Sequence, residues 1–294
     1  TSDIQISRSM MITLVLSTIS LMIPMSLLTQ KGYHSLWVWP ILLIAIFFIV
    51  NFIITNRQAT HPIVHFHTLF SKKPFVGATM AISSHLTLLT GIAGINVYIV
   101  RILKLPFDIS LHFYFFFFVG VIITGILKMF FYSSVGAGFL GTLGSSALLY
   151  VSIHWIILGN TINIPLLYIQ GLLLGFGASM TLVSGSMATL LDGDLKEAAQ
   201  RSQTMHTIRN FSAAMLIPII AYTIKNHIQK GTQSIYAENI TDKMIYLKKL
   251  QDVAIDADHQ IFLLMIIFNM VMFVSSIIQM ILGKGRRITP PRES

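Results

Sequence analysis

Cysteine is absent from this 294-residue chain. That excludes disulfides, thiolate catalysis and cysteine-ligated metal centres, and it leaves the redox compartment unread. Charge is scarce too. Only 11% of residues are charged, with 11 acids against 20 lysines and arginines, and no acid occurs between Asp3 and Asp108. Too few polar side chains remain to cover a water-soluble surface, so a soluble domain is excluded. The chain also lacks a phosphate-cradling glycine loop, a Ser-His-Asp set and paired carboxylates within apolar sequence. Enzyme chemistry is therefore not expected, nor is a cofactor. No signal-peptide pattern follows Thr1, and the missing initiator Met suggests processing or a piece of a longer protein.

What is present is apolar. Hydrophobic residues make up 54% of the chain and the mean hydropathy is +0.74. Runs of about 20 apolar residues are long enough to cross a bilayer as helices that satisfy their own backbone hydrogen bonds. Eight such spans can be drawn, at 10–28, 37–55, 75–100, 109–131, 136–158, 165–191, 205–224 and 261–282. The expected fold is thus an all-α polytopic membrane protein with eight transmembrane helices. Residues 225–260 read as an outer loop whose KMIYLKKLQDVAIDAD portion suits a short amphipathic surface helix, and the tail from Gly283 as a basic stop followed by disorder.

The net charge of +9 sits mostly beside the spans, which suits topology setting and anionic lipid rather than nucleic acid. An even number of spans puts both ends on one side. Twelve of the 20 basic residues fall there, among them Arg8, Arg57, Lys72, Lys73, Lys128, Arg201 and Arg209, so both ends are expected to be cytoplasmic. Trp37, Trp39 and Trp155 then fall at span ends on the other face, as interfacial anchors would.

Polar residues deep in a span point to a cavity. His85 is the foremost, suited by its titration range to couple proton movement, or else bonded to Ser83, Ser84 or a carbonyl. Asn96 follows about three turns on, on roughly the same face, placed either to hydrogen-bond substrate or merely to join helices. Gln170 lies near the outer end of its span, and Arg209 opens the seventh span, either snorkelling or latched to Asp192 or Asp194. Gly171, Gly175 and Gly177 suit close helix packing better than substrate contact. The run Phe115 to Phe118 faces lipid or neighbouring helices, with a ring or two available to stack on a lipophilic cation. His61, His65 and His67 cluster beside the membrane, but without nearby acids no metal site is expected.

Three local patterns, in order along nearly the whole chain, carry a resemblance. Gln30-Lys31-Gly32 through Trp37 forms a glycine-containing turn ending in Trp. Pro62-Ile63-Val64 through Leu69-Phe70 and Pro74-Phe75 form a Pro-apolar-apolar opening. The small-residue helix from Gly171 leads through a polar loop to Thr207-Ile208-Arg209. Together these are similar to the second half of the fourteen-helix drug:proton antiporter branch of the major facilitator superfamily. The resemblance implies two central helices and a linker in 1–74, then a major-facilitator-like carboxy-terminal lobe of six helices in 75–294. It also implies that a missing amino-terminal six-helix lobe belongs to the machine. Two features depart from the pattern. The segment from Gly125 to Gly136 carries one base, Lys128, and no acid, and Ser212-Ala213 stands where the family usually has Gly-Gly.

The implied function is part of a proton-coupled secondary transporter in a bacterial inner (plasma) membrane, exporting small lipophilic or cationic compounds by alternating access. Its partners are the small-molecule substrate, protons and the lipid bilayer. A siderophore or lipid-like metabolite is the alternative cargo, and a transport-incompetent half-size membrane protein is the alternative role. With no acid inside the last six drawn spans, coupling falls to His85 or to the missing lobe.

Overall fold

The computed structural model describes residues 8–285. The tail expectation, beyond its first three residues, lies outside them. Among the described residues seven helices are long and apolar enough to cross a membrane and no strand occurs, the architecture of an all-helical integral membrane protein. They are α1 (Arg8–Lys31), α2 (Trp39–Gln58), α3 (Lys72–Asn96), α4 (Phe107–Trp155), α5 (Ile164–Leu191), α6 (Ala198–Ala237) and α7 (Lys243–Ile281). Local chemistry sets several of their ends. Pro40 and Pro165 sit in the first turns of α2 and α5, where a missing N–H costs nothing. Asn163 caps α5 by accepting from Leu166 N at 3.2 Å, and Asp242 caps α7 through Met244 N at 2.8 Å.

The fourth and fifth drawn spans merge into the single element α4, 49 residues long. Straight, it would reach about 73 Å, well over twice the hydrocarbon thickness. It is not straight. Gly136 holds φ 82° and ψ 171°, outside the helical region and open to glycine without strain. Packing on α5 shows what the break does. Gly171 lies against Phe113, Gly175 against Phe117, and Lys128 reaches Ser179, so numbering rises together on the first arm and α5. On the second arm Gly144 meets Gly177 and Met180 while Trp155 bonds Gln170, so numbering runs oppositely. The chain folds back at Gly136, and both arms lie along α5.

Small residues allow this close approach. A Cβ on Gly171 would meet the Phe113 carbonyl at 2.9 Å, one on Gly177 would meet the Gly144 carbonyl at 2.7 Å, and one on Gly175 would overlap the Phe117 carbonyl. In lipid, where apolar burial drives little helix association, such backbone proximity supplies the packing energy. Between α3 and α5 the same device recurs: a Cβ on Gly77 would stand 2.9 Å from Gly185 O, and Ser84 Oγ bonds Ala178 O at 3.0 Å and Thr181 Oγ1 at 2.6 Å. Helices α3 and α5 are the most buried, with α7 completing the centre. The pair α1–α2 packs on α6 through Met25, Leu28, Val38, Met215 and Tyr222.

Two expectations are corrected. Residues 225–260 are not a loop bearing a separate surface helix. Apart from a turn near 238–242 they are continuous extensions of α6 and α7, which at 40 and 39 residues run on the order of 60 Å each. The polar stretch keeps helical geometry because α6 and α7 pack on each other, with Gly231 against Val253 and an ion pair from Lys249 to Glu238. Trp155 is no interfacial anchor either. It is fully buried between Phe113 and Phe262, its indole N–H donating to Gln170 Oε1 at 2.8 Å. Trp37 and Trp39 are exposed.

Candidate functional site

The bilayer charges heavily for unpaired ionisable groups, so their placement locates candidate chemistry. Of the four polar residues singled out in the sequence, the structure brings two together. His85 on α3 and Arg209 on α6 interact electrostatically, and His206, one turn before Arg209, interacts with the same guanidinium. All three are half-buried. Arg209 Nη2 lies 3.4 Å from Asn210 Oδ1, while its Nε and His206 Nδ1 are buried without a hydrogen-bond partner. His85 makes no hydrogen bond among the described residues; its neighbour Ser84 is committed to α5.

The position is interior on both helices. His85 lies about 20 Å along α3 from Lys72, and Arg209 about 16 Å along α6 from Ala198. Met205 and Ile208 of α6 pack with Leu69 in the turn before α3, with Ala78 and Ala81 in the first half of α3 and with Leu182 of α5, which fixes the register of the helices. A second face of α6, with Ile208, Phe211 and Met215, closes an apolar groove of about 440 Å³ against α1 and α2. On the His206–Arg209–Asn210 face Asn210 is exposed, while the His206 and Arg209 side chains are partly covered.

The other two candidates are structural neighbours of different helices. Asn96 accepts a hydrogen bond from Tyr114 OH and ties α3 to the first arm of α4. Gln170 is buried, bonding Trp155 and, at 2.8 Å, His154 Nδ1. It also borders a cavity of about 310 Å³ beneath the 156–163 turn. Neither joins the His85–Arg209 cluster.

The latch across the α5–α6 turn is made by Arg201, not Arg209. Arg201 is buried, and its guanidinium donates to the carbonyls of Thr189, Leu190 (2.8 Å) and Asp194 (2.9 Å). A cation at the carbonyl end of α5 satisfies acceptors that the helix leaves open and complements its dipole. Lys128, expected in a loop, is inside α4 and donates to Ser179 O at 3.2 Å. His67 faces Glu197 at 3.7 Å, and no group of metal-binding side chains occurs among the described residues.

Sequence reasoning missed Asp258. Because the last span was drawn from Ile261, this acid fell outside it, yet α7 carries it into the core at 1% exposure. Neither carboxyl oxygen has a hydrogen-bond partner. Tyr98 is its electrostatic neighbour, on the π-helical turn Val97–Ile102 that ends α3. Tyr98 OH is itself bonded to Gly159 O, and the adjacent His259 Nε2 contacts Leu158 O at 2.7 Å. The available signal was the apolar periodicity of Ile255, Ile261, Phe262 and Met265, whose phase includes position 258.

No protein-family model matches the chain, and no curated protein matches it.

Proposed function

We propose that this chain is the carboxy-terminal portion of a proton-coupled secondary transporter that exports small lipophilic compounds by alternating access. Counting the two arms of α4 separately, it supplies eight spans: two central helices and a six-helix lobe of the major-facilitator kind. Both ends are cytoplasmic, in a bacterial inner membrane. The observation that carries the reading is Asp258, a carboxyl buried in a helix bundle with no hydrogen-bond partner. Buried acids in spans mark ion and proton routes, because their ionised form needs water or a counter-charge that close packing does not supply.

On this reading Asp258 takes and gives up the proton as the outer end of the bundle closes and opens. The π-helical turn at Val97–Ile102 is the adjoining element able to shift, since π-turns are local irregularities concentrated at functional sites. The His85–Arg209 face lines the substrate route, and an amino-terminal lobe forms its other wall. A partly exposed Arg, His and Asn on one helix face suit a wet cavity and not lipid.

The test is proton flux in proteoliposomes of the full-length protein, read with an enclosed pH-sensitive dye. Addition of a transported compound is expected to release a proton flux that Asp258→Asn abolishes while binding persists. Unchanged flux in Asp258→Asn would remove Asp258 from coupling, and no substrate-linked flux in the unaltered protein would overturn the transporter reading. The lipid-like or siderophore cargo, the second reading of the substrate, is favoured by the charge on the α3–α6 face.

A further inference from the structure

From the α3–α6 face we infer that the cargo of this route carries an anionic head group, a carboxylate or a phosphate, on an apolar body, and that Arg209 receives it between His85 and His206. The inference rests on the transport reading for the word cargo, but its chemistry stands on the cluster alone. Arg209 is permanently charged, and its planar fork matches the two oxygens of a carboxylate or phosphate. Its Nε and the Nδ1 of His206 are buried and unpartnered. These two groups on one helical face, with His85 facing them from α3, leave nitrogen positions unfilled by the protein.

The described residues offer no compensating acid. Helices α3 and α5 contain none, and neither does α6 up to its end at Ala237. The nearest acids in sequence are engaged elsewhere: Asp192 is approached by Gln279, Asp194 caps the following turn through Lys196 N, and Glu197 faces His67. The face thus carries the Arg209 charge with no acid on α3, α5 or α6 to balance it. A cationic compound entering it would meet repulsion in a medium of low dielectric, where such interactions are strong. An anion would supply the missing charge. The apolar body finds Leu86, Leu89 and Ala93 further along α3.

The test is isothermal titration of the purified full-length protein in a non-ionic detergent with two probes of equal chain length, dodecyl phosphate and dodecyltrimethylammonium. Dodecyl phosphate is expected to bind about tenfold or more tightly than the cation, and Arg209→Gln to erase that preference, the change expected when one charge-assisted contact is removed. Arg209→Lys should retain part of it, which guards against a variant that fails to fold. Arg101→Gln, an exposed position outside the cluster, should leave both affinities unchanged. Equal affinity for the two probes, or an unaltered preference in both Arg209 variants, would overturn the inference.

Repeating the titration in nanodiscs separates two sources of the same chemistry. Binding weakened by phosphatidylglycerol but not by phosphatidylcholine supports a phospholipid head group as the occupant. Equal binding in both supports a free amphiphile. Anion preference without proton flux would retain the site and reject the transport reading; flux with no anion preference would do the reverse.

Discussion

Single residues divide here into those that hold the bundle and those left over for chemistry. Arg201 and Arg209 show the division. Both are arginines near the start of α6, but Arg201 is spent on three carbonyls at the α5 terminus while Arg209 keeps a buried, unpartnered Nε. Arg201→Ala would leave those acceptors without their donor, at about 1 kcal/mol each. We expect a clear fall in melting temperature in detergent, whereas Arg209→Gln should melt near the unaltered protein. Equal loss in both would mean that Arg209 is structural. The sequence alone could not make this assignment. A Thr-x-Arg at a span start draws attention to Arg209, while the role of Arg201 depends on where the α5 terminus falls in space. His85 was legible as a polar residue among apolar ones; its approach to Arg209 from another helix was not. Asp258 stayed hidden because the acids at 252, 256 and 258 read together as solvent-facing, although only Asp258 shares the phase of Ile261 and Phe262.

At the scale of elements, apolar runs located every membrane helix within a few residues at most ends, since bilayer thickness leaves few alternatives. The exceptions have physical causes. Gly136 breaks helical geometry without interrupting the apolar run, so the element is one stretch by hydrogen bonding and two arms by packing. A side chain there would be strained at φ 82° and would meet Lys284 O at 2.9 Å. Gly136→Val should therefore destabilise the protein by a few kcal/mol, seen as a lower melting temperature and as faster proteolysis between the arms. A melting curve that matches the unaltered protein would show that the fold-back tolerates a Cβ. Helices α6 and α7 outran their apolar sequence for the opposite reason: each supports the other beyond the point where hydropathy falls, a tertiary effect that overrides the local pattern.

At the scale of the whole molecule, the bundle is centred on α3 and α5, and the α3–α6 face carries charge that lipid would not tolerate. The central claim is that this face lines a water-accessible route. This sequence contains no cysteine, which opens the claim to direct measurement: with any thiol elsewhere in the full-length protein replaced by serine, a single introduced cysteine reports on its own position. Asn210 is exposed beside Arg209 and is the position to use. Asn210→Cys in sealed, oriented vesicles of the full-length protein would be treated with a membrane-impermeant maleimide, with and without dodecyl phosphate. The predicted result is labelling from the aqueous phase that falls several-fold when the amphiphile is present. Labelling from neither side, with a lipid-soluble maleimide still reacting, would place Asn210 against lipid and contradict the account.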